Sequence, residues 1–345
     1  MIGSHNPQPP QAADPNANPQ SVELAIIIVN WNSTDYVRQC LRSIQSRPPA
    51  ASHLIIVVDS GSFDGCGDML AREFPAVKFV QSLSNIGFSR ANNLGAGHAC
   101  AKMLLFLNPD TEVQPGALDT LIAALESHPD AGAVGARLIN SDGSLQTSCI
   151  KAFPTILGEL LDAEPLRRRF PKWRLWGMQP LFDPAGAPAA ADVISGACLL
   201  IRRHAFQQIG GFSTDYFMYS EDVELCYHCR RAGLKNYYVP GAIVVHHGGG
   251  SSKKAASRRS VVTMRQSRWL FFKKTRGLSY AYCYRIALLF AGLARLCLAL
   301  PAFAMQKKAA RHAAAKWFYV MEWCVGAGVD GAQNARFPDA IRRIV

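Results

Sequence analysis

Three short polar stretches of the sequence carry side chains that could perform chemistry. Asn108-Pro109-Asp110 follows an apolar run, Glu221-Asp222 lies among aromatic residues, and His246-His247 precedes three glycines. A carboxylate combined with an imidazole and phosphate oxygens suits a divalent cation, since oxygen ligands favour Mg2+ and an added imidazole favours Mn2+. Aromatic packing raises the pKa of a carboxyl group, which suits a general base in the Glu221-Asp222 pair.

Each stretch also has an ordinary structural explanation. Glu221 and Asp222 follow Ser220 near the start of a predicted helix over residues 219–234, where carboxylates offset the helix dipole and a serine caps free amides. Polar residues and histidines end strands in many proteins. A cap alone, however, needs neither the Gly210-Gly211-Phe212 break nor the neighbouring tyrosines, so the sequence favours a functional pair.

The elements that must position these residues begin with alternating strands and helices. The apolar runs show no polar alternation, which is typical of strands covered on both faces in a parallel sheet with crossover helices. We therefore expect an α/β nucleotide-binding half. The predicted strands are 24–30, 54–58, 77–80 and 103–107, and the predicted helices are 34–46, 67–74 and 88–100.

Polar residues end three of these strands. Asn30, Asp59 and Asp110 each follow an apolar run. Ligands of open α/β sheets bind outside the carboxyl ends of the strands, so we expect the three side chains to meet at one edge. The sequence has no Gly-x-Gly-x-x-Gly turn after the first strand and no P-loop, so a bound nucleotide diphosphate would need a metal on Asp110 to neutralise it.

The second half of the chain continues the α/β pattern. The predictions are a strand over 131–140, a turn over 141–145, an irregular loop over 150–190, a strand entering a helix over 191–206 and a strand over 236–245. At the other end, the N-terminal segment is too poor in large apolar groups to fold. It also lacks the apolar core of a secretory signal, which indicates a cytosolic chain.

Positive charge is concentrated in the C-terminal part. The net charge is +12, yet residues 253–345 hold 18 basic and 3 acidic residues, against 19 and 22 in residues 1–252. The basic residues are interleaved with Leu, Phe and Trp, which favours a membrane surface and disfavours nucleic acid. Arg295 and Pro301 interrupt the apolar run 286–305. We therefore expect an in-plane amphipathic helix, ahead of a spanning helix or one that packs within the chain or in a homo-oligomer.

Seven segments carry a family resemblance. They are IIIVNWNS (26–33), VVDSGSFDG (57–65), NIGFSRANNLG (85–95), LLFLNPDTEVQPGAL (104–118), VISGACLLIRR (193–203), GGF with YFMYSEDVELCYHCRRAG (210–233) and HHGGGSS (246–252). In order and spacing they resemble a family 2 glycosyltransferase of the rhamnosyltransferase-like branch, which builds bacterial cell-surface polysaccharides.

The resemblance implies a fold and a domain organisation. The expected fold is the α/β GT-A (Rossmann-like) fold, a mixed and mostly parallel sheet flanked by helices, with a C-terminal helical extension that associates with membranes. The implied domains are a disordered segment over 1–22, the GT-A domain over 23–252 and a basic amphipathic helical region over 253–345.

The resemblance also implies roles for individual residues. Asp222 matches the catalytic base, and Glu221, Gly196 and Tyr219 fall on the acceptor side. The residues implied for the donor nucleotide are Val29, Asn30, Asp59, Arg90, Asn93, Asn108 and Asp110.

The implied metal site departs from the family pattern at one position. Asp110 is the surviving carboxylate of the family's Asp-x-Asp motif, whose first acid is Asn108 here. His246 matches the metal-ligating histidine, and His247 stays open as an alternative. A second departure is Ser60, where the family more often has an asparagine that contacts the nucleobase.

The function implied is an inverting sugar transfer that depends on Mg2+ or Mn2+. The expected donor is dTDP-rhamnose, with UDP-hexose or UDP-galactofuranose as alternatives, and the expected acceptor is a lipid-linked glycan. The enzyme would lie peripherally on the cytoplasmic face of the bacterial inner membrane. A different class is a non-catalytic sugar-nucleotide or glycan-binding module on the same fold.

Overall fold

A computed structural model describes residues 21–183, 186–248, 258–304 and 308–326. Three sequence predictions fall wholly or partly elsewhere. Residues 1–20 of the N-terminal segment, the glycines and serines of 249–252, and residues 327–345 of the basic region lie outside the described residues.

Strands make up the centre of the fold. They are β1 (Val22–Asn30), β2 (His53–Asp59), β3 (Lys78–Gln81), β4 (Ala101–Leu107), β5 (Thr111–Val113), β6 (Ala131–Ile139), β7 (Ile150–Lys151), β8 (Ala189–Ala191), β9 (Val193–Ile194), β10 (Cys198–Arg202) and β11 (Lys235–His246). Within the described residues, nine of them form one sheet in the order β3-β2-β1-β4-β10-β6-β11-β5, with β8 also paired to β11. Strands β7 and β9 form a separate antiparallel pair.

Helices alternate with the strands and also follow β11. They are α1 (Thr34–Ser46), α2 (Cys66–Glu73), α3 (Gly87–Gly97), α4 (Ala117–Ser127), α5 (Ile156–Leu161), α6 (Glu164–Arg169), α7 (Arg203–Gln208), α8 (Glu221–Arg231), α9 (Arg258–Arg276), α10 (Leu278–Ala304) and α11 (Lys308–Cys324). Every residue of the segment Leu24–Asn30 is buried, which agrees with a strand covered on both faces.

The sheet is mixed, as predicted. Strands β3, β2, β1 and β4 are parallel neighbours, and β6 is parallel to β11. Strand β10 runs antiparallel between β4 and β6, and β5 and β8 run antiparallel to β11. The buried run of β10 has the same apolar composition as a parallel strand, because burial on both faces, rather than strand direction, sets that composition.

The predicted elements are confirmed within a few residues, with two kinds of exception. Strand β5 and helix α4 were not predicted. The loop over 150–190, which was predicted to be irregular, contains β7, α5, α6, two short 3-10 helices and the start of β8, and the single strand predicted from residue 191 is divided among β8, β9 and β10. A strand of three residues is too short to show a period of two, and helices of six residues show less than two full turns.

Helix α9 joins the C-terminal helices to the sheet domain. Phe271 and Phe272 are buried, and the Phe271 ring contacts Tyr227 of α8 edge-on at 5.8 Å between centroids. The Ser267 hydroxyl donates a hydrogen bond of 2.8 Å to the Met218 carbonyl, just before α8. Helices α10 and α11 pack against α9. Among the described residues, no helix is both long enough and apolar enough to cross a membrane.

Candidate active site

A cleft of about 490 Å³ lies beyond the carboxyl ends of β1, β2 and β4. Its lining includes Val29 from the end of β1, Asn108 and Asp110 after β4, Gly196 before β10, Tyr219 to Val223 at the start of α8, and His246 at the end of β11. The cleft therefore brings together Asp110, Asp222 and His246, which lie far apart in the sequence.

The Asp110 carboxylate and the His246 imidazole are neighbours. The distance from Asp110 Oδ1 to His246 Nε2 is 3.3 Å, and the two side chains are only 13% and 15% exposed. His246 Nδ1 donates a 2.7 Å hydrogen bond to Gln146 Oε1, and the Gln146 amide in turn donates to Asn140. This arrangement leaves the Nε2 lone pair directed toward Asp110 and Asn108, as expected of a metal-ligating histidine with a fixed tautomer.

The neighbouring histidine has different partners. His247 Nε2 lies 2.7 Å from Glu112 Oε1, and its Nδ1 lies 2.7 Å from the Ser141 hydroxyl. Successive side chains of a strand point to opposite faces of the sheet, which explains why two adjacent histidines differ. His247 does not line the cleft.

Asp222 is held at the N-terminus of α8. Its Oδ2 accepts a hydrogen bond from the Gly196 backbone amide at 3.1 Å, and its Oδ1 accepts one from the Val223 amide at 2.8 Å. A Cβ atom at position 196 would come within 3.3 Å of the Asp222 Cβ, so glycine suits the close approach of the two segments. The helix dipole also favours negative charge at this position.

The chain enters α8 through two strained residues. Tyr219 and Ser220 have φ angles of 70° and 66°, in the left-handed region that non-glycine residues rarely adopt. Ser220 makes no side-chain capping hydrogen bond, so the cap that the sequence offered as an ordinary explanation is absent. Consecutive strained residues of this kind cluster where the surrounding structure fixes a functional geometry.

Glu221 lies next to Asp222 but differs from it in environment. Its side chain is buried, and its Oε2 has no hydrogen-bond partner among the described residues. Burial and the negative charge of Asp222 raise the pKa of Glu221 to about 8. Glu221 therefore keeps its proton at neutral pH, and the negative charge of the pair resides on Asp222.

The side chains of Asn30 and Asp59 meet at the sheet edge, but their polar atoms form hydrogen bonds with each other and with neighbouring residues of the protein. The Asn30 side chain donates to Asp59 Oδ1 at 2.8 Å, and Asp59 also accepts from Ser62 and from Gln81 Nε2. Asp59 is 1% exposed and does not line the cleft, whereas Val29 and Ser60 do. The network fixes the ends of β1 and β2 beside the cleft.

Two further residues of the expected donor set lie away from the cleft lining. Arg90 is exposed on α3. Asn93 hydrogen-bonds both backbone groups of Phe212, with its amide donating to the carbonyl at 2.7 Å. The start of α3 lines the cleft instead. There Gly87 has a φ of 80°, and a Cβ atom would meet the Phe217 carbonyl oxygen at 2.5 Å.

Sequence patterns missed several residues that line the cleft. Trp31, Lys151, Met264 and Arg268 all contribute to its wall. Arg268 belongs to α9, in the region that the sequence predicted to face a membrane. The spacing of basic and apolar residues marks a helix as amphipathic but does not identify the surface that it covers.

The fold is the GT-A fold, in which a mostly parallel sheet is flanked by helices. The chain belongs to the glycosyltransferase-like family 2, whose family model matches residues 19–270. The predicted α/β GT-A fold of the sheet domain and the predicted enzyme class are therefore confirmed, and the membrane-associating role of the C-terminal extension stays a prediction.

Two curated relatives place the chain near rhamnosyltransferases, as the sequence resemblance implied. It is 32% identical over 237 residues to the N-acetylglucosaminyl-diphospho-decaprenol L-rhamnosyltransferase of Mycobacterium tuberculosis, covering 64% of this chain and 75% of that protein. It is 24% identical over 225 residues to rhamnosyltransferase WbbL of Escherichia coli K12, covering 62% of this chain and 80% of that protein.

Solved structures share the fold. The mannosyltransferase PcManGT from Pyrobaculum calidifontis, solved in complex with GDP-Man and Mn2+, matches with a TM-score of 0.58 and 18% identity over 90% of this chain and 88% of that chain. GalNAc-T7, solved with UDP, GalNAc and Mn2+, matches with a TM-score of 0.52 and 17% identity over 76% of this chain and 52% of that chain.

The protonation of Glu221 predicts a pH dependence of stability. The folded state binds this proton more tightly than the unfolded chain, in which the pKa is near 4.5, so the free energy of unfolding falls as pH rises from about 4.5 to about 8. Glu221→Gln should flatten this slope by roughly 1 kcal/mol per pH unit, since one proton bound in the folded state but not in the unfolded state contributes about 1.4 kcal/mol per pH unit. Urea unfolding between pH 5 and pH 8 measures the effect, with the exposed Glu126→Gln as the control for charge removal. Equal slopes of unfolding free energy against pH in the wild type and Glu221→Gln would contradict the conclusion that folded Glu221 is protonated.

Proposed function

We propose that this enzyme transfers rhamnose, with inversion, from dTDP-rhamnose to a lipid-linked acceptor that carries GlcNAc on a diphosphate. The supporting observation is the shared cleft of Asp110, His246 and Asp222, which combines a diphosphate-binding edge with a general base. The acceptor and the sugar are inferred from the similarity to the mycobacterial rhamnosyltransferase. UDP-hexose and UDP-galactofuranose are the competing donors.

The residues around Asp110 fit a divalent metal. They combine one carboxylate with one imidazole whose tautomer is fixed. The described residues contain no group of three His, Cys, Asp or Glu side chains that could hold a metal ion, so oxygens of the donor diphosphate and water would complete the coordination. We assign Asp110 and His246 as the protein ligands of Mg2+ or Mn2+. When bound, the cation neutralises negative charge on the departing nucleoside diphosphate.

Asp222 provides the base for the transfer. Its carboxylate accepts the proton of the acceptor hydroxyl while that oxygen forms a bond to the anomeric carbon. The bond from the anomeric carbon to the diphosphate breaks on the opposite face, so the configuration inverts. Two backbone amides orient the carboxylate, and protonated Glu221 leaves Asp222 as the charged member of the pair.

Helix α10 presents an apolar surface suited to the membrane that would hold the acceptor. We call the exposed residues at intervals of three or four on this helix the α10 stripe; they are Leu278, Tyr282, Ile286, Phe290 and Leu293, each between 46% and 66% exposed. The opposite side of α10 buries Ala281, Tyr284 and Leu288.

Arg295 turns away from the α10 stripe, because its guanidinium donates to the Leu160 carbonyl and stacks 4.3 Å from the Trp317 ring centroid. With the surrounding positive charge, the stripe supports peripheral binding at the cytoplasmic face of an anionic inner membrane.

Removal of the base tests the proposed chemistry. Asp222→Asn keeps the volume of the side chain but cannot accept the proton, so kcat for rhamnosyl transfer should fall by about 10²- to 10⁴-fold. The affinity for dTDP-rhamnose, measured by calorimetry, should stay within a few fold. Asp68→Asn, on the exposed face of α2, is the matched control and should keep wild-type transfer. Full activity of Asp222→Asn would remove this residue from the mechanism.

A charge on the α10 stripe tests membrane binding. Phe290→Glu should lower co-sedimentation with vesicles containing phosphatidylglycerol at least several fold, since it loses apolar contact and adds negative charge. Leu83→Glu alters an even more exposed apolar residue beside β3 and should sediment like the wild type. Unchanged sedimentation of Phe290→Glu would count against the membrane surface. A wild-type dimer in light scattering that this variant abolishes would assign the α10 stripe to a second copy.

A further inference from the structure

Arg268 of α9 brings a positive charge from the C-terminal helices to the wall of the cleft. Its side chain is 12% exposed and lines the same cavity as Asp222 and Gly196. Its Nη1 atom is buried and has no hydrogen-bond partner among the described residues. A buried guanidinium nitrogen without an acceptor costs free energy that an anionic ligand would recover.

The neighbours of Arg268 fix its position but do not fully neutralise its charge. Its Nε lies 2.9 Å from Glu159 Oε1, and Arg265 Nη1 lies 2.8 Å from the other oxygen of the same carboxylate. Burial opposes the ionisation of Glu159, but the charges of Arg268, Arg265 and Lys151 outweigh it and hold the pKa of this carboxyl below its usual value. One negative charge thus faces three positive charges. The hydrogen bond from Ser267 to Met218 fixes α9 beside the start of α8.

A second cation lies on the same wall. Lys151, at the end of β7, lines the cleft together with Arg268. Both residues, with Val223, also line a smaller adjoining cavity of about 60 Å³, which does not include Val29, Asp110 or His246 in its lining. The two cations therefore extend from the Asp222 side of the cleft, away from the residues assigned to the donor.

Building on the proposed function, we propose that Arg268, assisted by Lys151, binds the diphosphate of the acceptor. In a lipid-linked GlcNAc, the diphosphate is attached to the same sugar that offers its hydroxyl to Asp222, so the anion must lie close to the base. A guanidinium and an ammonium in a partly closed cleft are suited to such an anion. The donor supplies the other diphosphate in the reaction, so a test must separate the two.

Two acceptors and two matched variants distinguish binding of the acceptor diphosphate from binding of the donor diphosphate. The acceptors are undecyl-diphospho-GlcNAc and the uncharged octyl glycoside of GlcNAc, each used with dTDP-rhamnose and Mn2+. Arg268→Gln should raise KM for the diphosphate acceptor by about 10- to 100-fold, as expected for the loss of a charge-assisted contact. KM for the octyl glycoside and KM for dTDP-rhamnose should stay within about twofold.

Arg265→Gln is the control for the structural role of the ion pair. It removes the other arginine from Glu159 but does not line the cleft, so both acceptors should keep their wild-type KM values. Comparable Tm values for the two variants would show that they fold alike. An equal loss with both acceptors, a rise only in KM for dTDP-rhamnose, or the same selectivity loss in Arg265→Gln would overturn the proposal.

A binding measurement separates this proposal from the proposed function. If wild-type enzyme transfers no rhamnose to either acceptor, the proposed donor or reaction is wrong. Calorimetry with undecyl-diphospho-GlcNAc alone then decides the role of Arg268. Weaker binding in Arg268→Gln than in Arg265→Gln supports the diphosphate site, and equal binding in the two variants overturns it.

Discussion

The pairing of β11 with β5 and β6 is the constraint on which the cleft depends. His246 pairs with Thr111, and the His247 amide donates a 2.9 Å hydrogen bond to the Asp110 carbonyl, so the end of β11 is fixed beside Asp110. Side chains alternate along a strand, and a slip of one residue would exchange the two histidines. The backbone register therefore selects His246 as the neighbour of Asp110 and directs His247 to Glu112.

A second constraint separates the charges of two adjacent carboxyl groups. Glu221 is buried and keeps its proton, whereas Asp222 receives two backbone amide hydrogen bonds and faces the cleft. Tyr219 and Ser220, both with left-handed backbone angles, lead the chain into α8, where the two carboxyl groups lie. Helix α9 lines the cleft with Arg268, so the C-terminal helices contribute to the site as well as carrying the exposed α10 stripe.

The sequence predicts the strands and their carboxyl edge well because continuous burial leaves a clear apolar pattern. It does not decide between His246 and His247, because β11 changes register between Val239 and Ile243, and simple alternation cannot be followed across such an irregularity. Nor does it reveal that Asn93 binds the backbone of Phe212, 119 residues away. Arg268 was missed for the same reason, since its place in the cleft depends on how α9 packs.

Calorimetry of Mn2+ binding in the presence of dTDP tests the central arrangement most directly. His246→Ala should weaken Mn2+ binding by at least about 10-fold, the lower end of the loss seen when even a supporting partner of a metal ligand is removed. His247→Ala should bind Mn2+ like the wild type, because its imidazole contacts Glu112 and Ser141 outside the cleft. Unchanged binding in His246→Ala, or a larger loss in His247→Ala, would contradict the account.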